Sequence, residues 1–247
     1  MSLGFEQAGF EVVAAVEIDP VHAATHKFNF PNCATLARSV VGLSADELLA
    51  SAGLTAEALS DAVIIHGTTL VTNSLIERRG SDIGLITTQG AGDILETGKG
   101  NRYDPYDRLL EKPHPLVRRG LRKMLSERIL ADGSVYRECD EADVRHTLTE
   151  LADAGVKAVA VCLLHSYANA THERRVREIA QELGLNLYIT LSSDVAPELG
   201  EFERMTTSTA NAYIQPIAEG YLQTLQNALK EAGHGGAFYL MWSDGGL

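Results

Sequence analysis

The sequence predicts an α/β fold, a mixed sheet with covering helices. Short apolar runs rich in β-branched residues, Ile83 to Thr87 and Val156 to Leu164 among them, have the length of buried strands. Between them lie stretches whose apolar residues recur three and four apart. The unit helix, glycine, strand occurs twice in succession, which suits a parallel or mixed sheet with helices on its faces.

In chain order, Glu11 to Ile18 reads as a buried strand after a short helix, and Leu43 to Leu59 as an Ala-rich helix interrupted at Gly53. Ala62 to Ile65, Ile83 to Thr87, Val156 to Leu164, Leu185 to Leu191 and Ala237 to Met241 are strand-like. In Glu141 to Ala154, Val144, Leu148 and Leu151 fall at i, i+4 and i+7, and Gly155 suits the stop. Thr171 to Leu183 repeats that design, with Thr171 as N-cap, Val176, Ile179, Ala180 and Leu183 as the buried stripe, and Gly184 as the end. Met205 to Ala232 is a long helical region expected to break near Pro216. Lys99 to Pro115 gathers Gly, Asn, Pro and charges, so it reads as a surface loop.

Composition narrows the function classes. A length of 247 residues is enough for one or two domains with a sizeable core. The net charge of −12 argues against non-specific nucleic-acid binding, because phosphate backbones demand Lys/Arg surfaces. Three widely spaced cysteines offer neither a disulfide framework nor a zinc pattern, and reduced cytoplasmic thiols are the simplest reading. The first twenty residues carry Glu6, Glu11, Glu17 and Asp19 without a basic leader, so no secretory signal is expected. The longest apolar run, Ala158 to Leu164, is far short of the ~20 residues that span a bilayer, and no membrane segment is expected.

The stretch from Val63 to Gly80 is the most informative. An apolar run ends in His66-Gly67-Thr68-Thr69, and a helical pattern containing Asn73 follows. A strand that passes to a helix through Gly and Thr gathers hydroxyls and free N–H groups, which is a ready site for phosphate or carboxylate. Thr at such a place is equally the ordinary N-cap, and His66 is equally a satisfied structural histidine; both alternatives stay open here. At the other end, Ala237 to Met241 runs into Trp242-Ser243-Asp244-Gly245-Gly246. Glycines there let backbone approach a ligand, and the Asp244 carboxylate suits Mg2+ or its waters.

The wording of these stretches resembles the hydantoinase/oxoprolinase family of ATP-dependent enzymes that open cyclic amides. The resemblance runs from about Ser44 to the end. It takes in His66 to Gly80, Ile83 to Gly90 with Asp93 to Glu96, and Ser126-Glu127-Arg128. Ala158 to Tyr167, Glu201 to Thr207, Asn211-Ala212-Tyr213 and Ser243 to Gly246 complete it. It implies a partial actin-like ATPase (ribonuclease H-like) architecture, in which two phosphate-holding turns face each other across a cleft. It also implies ATP and Mg2+, a small cyclic amide as substrate, and a beta-type hydantoinase subunit or fused second half as partner. Homo-oligomerisation is left open. By this resemblance His66, Thr68, Thr69 and Asn73 are the catalytic candidates. Gly67, Asp244, Gly245 and Gly246 are the nucleotide-binding ones, with Asp244 also serving the metal.

Residues 1 to 43 resemble a different family, the DNA cytosine-5 methyltransferases. Ser2 to Phe10, Val16 to Pro20 and His26 to Pro31 carry that likeness, with Glu17 in the place of the ribose-binding acid. No Pro-Cys pair supplies the methyltransferase nucleophile, since Cys33 follows Asn, Cys139 follows Glu and Cys162 follows Val. The expected organisation is therefore a methyltransferase-like remnant over 1–43, a hydantoinase/oxoprolinase N-terminal region over 44–235, and the start of a following domain over 236–247. A chain of this extent is expected to be inactive alone. The competing readings are a remnant of an S-adenosylmethionine-dependent methyltransferase and a non-catalytic α/β interaction domain.

Four further features have plainer explanations. His165-Ser166 are adjacent in sequence, which is the wrong spacing for a catalytic dyad, and no Gly-x-Ser-x-Gly elbow supports one. Glu201 and Glu203 read as partners of a helix N-terminus. Arg118 to Lys123 lacks interleaved aromatics and reads as a solvated face. Asp104 and Asp107 in the irregular loop are a weak lead to a hard cation.

Overall fold

A computed structural model of the chain describes residues 14–17, 20–37, 60, 63–100, 106, 109 and 112–241. Two units emerge from the contacts: residues 70–220 form one, and residues 1–69 with 221–247 form the other.

In the unit of residues 70–220, four strands form one parallel sheet. Its strands are β4 (Ile83–Thr88), β5 (Arg122–Leu125), β8 (Ala158–Cys162) and β9 (Tyr188–Leu191), in the order β5-β4-β8-β9. Every residue of β4 and β8 is buried, because both faces are covered. Ile86, Val159, Val161 and Leu191 pack with Val144, Leu148 and Leu151 of helix α4 (Glu141–Asp153) and Val176 and Ile179 of α5 (Thr171–Glu182). The alternate residues Ile83, Leu85, Ala158, Ala160 and Cys162 pack with Met205, Ala212 and Tyr213 of α7 (Glu201–Glu231). This is the period-two alternation of a strand with two apolar faces to satisfy. Gly84 faces α4: a Cβ there would stand 2.9 Å from a Leu151 methyl.

Among the described residues, the antiparallel pairing is the hairpin β6 (Arg128–Ile129) and β7 (Val135–Arg137). Short helices α2 (Leu70–Ile76), α3 (Ile94–Thr97) and α6 (Ser192–Val195) complete this unit.

In the other unit, β1 (Ala14–Glu17), α1 (Pro20–Asn29) and β2 (Ala34–Ala37) make a short βαβ arrangement whose two strands pair in parallel. Lys27 fixes its turn by donating to the carbonyls of Pro31 (2.9 Å) and Cys33 (2.8 Å). A separate parallel pair joins β3 (Ile64–His66) to β10 (Phe238–Leu240).

Several expectations change. Thr171 is the first helical residue rather than the N-cap; Asn169 Oδ1 takes the capping role, accepting from Thr171 N at 3.1 Å and Thr171 Oγ1 at 2.6 Å. The helix containing Pro216 does not break there but continues to Glu231. Pro216 removes the helical N–H that would reach the Ala212 carbonyl, and the next carbonyl along, that of Tyr213, accepts from Ser81 N at 3.0 Å. The Arg118–Lys123 run is not a wholly solvated face, since its end forms β5 and the Arg122 side chain is 4% exposed. The helix expected over 43–59 and the residues Asp104 and Asp107 lie outside the described residues. Gly155 and Gly184 do end α4 and α5, with φ of 78° and 62°.

Candidate functional site

The parallel pairing of β3 with β10 builds the candidate site. Ile64, Ile65 and His66 stand opposite Phe238, Tyr239 and Leu240, and Met241 N donates to His66 O at 3.0 Å. Parallel strands end on the same side, so the chain leaves His66 toward Gly67-Thr68-Thr69 beside the point where it leaves Leu240. Gly67, Thr68 and Thr69 are exposed and irregular, with their hydroxyls at a strand end. Asp244, Gly245 and Gly246, three to five residues beyond Met241, lie outside the described residues.

His66 is half-buried, and Tyr221 from the last part of α7 meets it. The Tyr221 hydroxyl stands 2.9 Å from His66 Nε2. Burial holds the His66 imidazole below its usual pKa and raises that of Tyr221, because desolvation disfavours each charged form. Phe238 stacks on the His66 ring at 6.3 Å between centroids.

Helix α2, which follows the turn, has seven residues, and Asn73 is exposed on it. Two turns make a weak macrodipole, so the anion-binding character of this place rests on glycine and hydroxyls more than on the helix. Asn73 belongs to the unit of residues 70–220, whereas His66 to Thr69 belong to the other.

A second polar constellation, absent from the candidate residues read in the sequence, lies at the C-terminal ends of β4, β8 and β9. Glu173 is fully buried; its Oε1 accepts from Leu163 N (2.9 Å) and Ser192 Oγ (2.6 Å), and its Oε2 accepts from Ser193 N (2.9 Å). Arg204 is fully buried too. It donates to the hydroxyls of Ser166 and Ser192, to Leu163 O at 3.2 Å and to Glu201 at 3.1 Å. Beside them, buried Glu127 binds the Thr88 hydroxyl and, at 2.7 Å, His172 Nδ1; Thr88 Oγ1 in turn accepts from Leu164 N at 2.9 Å. The stretches Ser126–Arg128, Ala158–Tyr167 and Glu201–Thr207 thus converge in space. Charged residues inside otherwise apolar stripes, Glu173 on α5 and Arg204 on α7, were the sequence signal for this cluster.

The cluster is a clamp on two strand-end loops. Most of its polar groups are engaged with one another, with His172 Nε2, Ser193 Oγ and Arg204 Nε left without a hydrogen-bond partner among the described residues. His165 Nδ1 donates to Ile129 O at 2.8 Å, while Ser166 Oγ contacts Ser192 at 3.0 Å and Arg204, so His165 and Ser166 turn to different partners. His165 holds a left-handed φ of 59° at this reversal. Glu201 pairs with Arg204, and Glu203 with Lys99, which holds the Glu203 carboxyl below the usual range.

The basic run is balanced residue by residue. Arg118 pairs with Asp82 (2.6 Å), Arg119 with Asp93 (2.9 Å), Arg122 with Glu96 and Lys123 with Glu150. Among the described residues no three His, Cys, Asp or Glu side chains group as a metal site. No described helix is long and apolar enough to cross a membrane.

Comparison with known proteins completes the site's description. Residues 43–184 match the model of the hydantoinase/oxoprolinase N-terminal region, and residues 204–247 match that of hydantoinase/oxoprolinase. The acetophenone carboxylase gamma subunit of Aromatoleum aromaticum is 35% identical over 88% of this chain and 30% of its own length. The crystal structure of the ATP-dependent caprolactamase from Pseudomonas jessenii superposes with a TM-score of 0.72 at 30% identity, over 79% of this chain and 29% of that one. A shorter similarity, 51% over 82 residues, links 33% of the chain to 19% of the type II methyltransferase M.XorII of Xanthomonas oryzae pv. oryzae. That is a partial match, nearly twice as long as the forty-odd residues that resemble a methyltransferase in the sequence. The chain spans between 28% and 30% of the length of the first curated relatives it matches. Its α/β architecture is that of ATP-dependent enzymes of the actin-like ATPase kind, and such relatives include named subunits of larger enzymes. The chain belongs to the hydantoinase/oxoprolinase family.

Proposed function

We propose that this chain forms part of the nucleotide-binding portion of an ATP-dependent enzyme that opens a small cyclic amide. The adjacent C-terminal ends of β3 and β10 carry this reading, because they start Gly67-Thr68-Thr69 and the segment leading to Asp244-Gly245-Gly246 from one edge. The likeness to caprolactamase supports a ring amide as the substrate class.

A ring amide is a poor electrophile with a poor leaving group. Bound ATP would supply a γ-phosphoryl group to the amide oxygen, after which water can attack the carbon. The protein's part in such a transfer is positioning and charge stabilisation. Gly67 lets backbone N–H groups approach the phosphates, and the Thr68 and Thr69 hydroxyls donate to their oxygens. Asp244 is the proposed Mg2+ residue, with Gly245 and Gly246 as the second phosphate turn. Asn73 lies in the other compact unit and has no assigned step. A second subunit completes the enzyme in this reading. The likeness to acetophenone carboxylase keeps a ketone as second substrate class, since it too presents a carbonyl oxygen.

The test is calorimetric titration of Mg2+-ATP into the chain and its Thr68→Ala/Thr69→Ala variant, repeated at the equivalent positions of a full-length family member. We expect at least tenfold weaker binding in both variants. Unchanged nucleotide affinity and turnover in the full-length variant would sink the proposal.

A further inference from the structure

We infer that Tyr221 is a positioning residue for His66, holding the imidazole in the tautomer that carries its proton on Nδ1. The Tyr221 oxygen lies 2.9 Å from Nε2, with the two rings tilted by 35° and 5.7 Å apart. Phe238 stacks on the same imidazole at an interplanar angle of 22°. Two aromatic neighbours and one hydrogen bond therefore restrict both the position and the rotation of the ring.

The pair could bond in either direction, since a hydroxyl both donates and accepts. Burial disfavours charge on both partners, so at neutral pH a neutral phenol meets a neutral imidazole. Between those two, the phenolic O–H is the more acidic donor and the imidazole nitrogen the more basic acceptor. The stronger bond is O–H donating to Nε2, and it sends the imidazole proton to Nδ1. No hydrogen bond to Nδ1 occurs among the described residues. A neutral N–H donor thus stands one residue before Gly67-Thr68-Thr69. Resting on the function proposed above, its ligand is an anionic phosphoryl oxygen. A neutral donor there binds such an oxygen without competing for its charge-balancing cation.

The experiment is long-range 1H–15N correlation spectroscopy on the full chain with labelled histidine, at neutral pH. His66→Gln assigns the signal. In the wild type the His66 spectrum should show protonated Nδ1 and unprotonated Nε2. Tyr221→Phe removes one hydroxyl, and should lose that signature and populate the Nε2–H form. A wild-type spectrum with the proton on Nε2 overturns the proposal, as does a folded Tyr221→Phe protein with an unchanged tautomer. If Tyr221→Phe fails to fold by circular dichroism, the wild-type spectrum alone decides. Added inorganic phosphate separates the two readings. A shifted Nδ1–H resonance supports both, whereas an unmoved one with the tautomer intact removes the phosphate ligand and leaves the role of Tyr221 standing.

Discussion

Glu173 and Arg204 stand 3.8 Å apart with both side chains fully buried, joining helix α5 to helix α7 behind the strand-end loops. They reach each other largely through shared partners: Ser192 and the Leu163 backbone bond to both. A buried pair of charges is tolerable because each is surrounded by hydrogen-bonding groups, and removing one member strands the other.

Arg204→Ala should therefore destabilise the protein by about 3–5 kcal/mol, with Glu173 left as an uncompensated buried carboxylate. Urea unfolding of the variant measures this. A loss under about 1 kcal/mol, the size of an exposed pair, would mean the cluster is solvated in solution.

Gly80 is required by its neighbour. A Cβ at that position would overlap the ring of Tyr213, which packs over the glycine. Gly80→Ala should cost about 1–3 kcal/mol as an overpacked site. Pairing it with Tyr213→Leu, which withdraws the ring edge, should recover part of that loss in thermal melts. Equal melting temperatures for wild type and Gly80→Ala would show that the ring moves freely.

His66 links stability to pH. Burial holds its folded pKa below the ordinary histidine value of 6.5, so the unfolded chain takes up the proton first as pH falls. The contribution is intact above pH 6.5 and is lost as pH falls through the depressed folded value. His66→Gln should flatten the stability profile on the acid side of 6.5, as followed by denaturant midpoints. A profile unchanged by the substitution would place the acid sensitivity elsewhere.

Thr68 and Thr69 separate capping from ligand binding. If they only cap α2, replacing both with Ala costs about 1–2 kcal/mol and activity per folded molecule is kept. If they hold phosphate, turnover in a full-length relative drops by orders of magnitude at nearly constant melting temperature. We expect the second pattern.

Burial pushes the thiols of Cys139 and Cys162 up to about 12. Since the thiolate is the nucleophile, both should resist alkylation at pH 8 until the protein unfolds. Mass spectrometry of iodoacetamide-treated native and urea-unfolded samples would show it. Rapid native labelling of Cys162 would contradict its place in the sheet.

The sequence by itself determined the strands β4, β8 and β9, the helices α4 and α5 with their glycine stops, and the family. Those features are local, set by apolar spacing, chain-reversing glycines and stretches of characteristic wording. The short strands β2 and β5 and the β6–β7 hairpin escaped notice because two to four residues carry too little pattern, and Arg122-Lys123 reads as surface until Glu96 and Glu150 are placed beside it. At the candidate site, the turn after His66 was visible, but Tyr221 was not, since 155 residues separate it from its partner. Tertiary structure likewise decided that β3 runs parallel to β10, and that Glu127, Glu173 and Arg204 share one buried cluster. Local pattern records which residues must leave water. Which of them then meet depends on strand order and helix packing, because a buried charge or hydroxyl is satisfied by whichever partner the closed sheet brings within hydrogen-bonding reach.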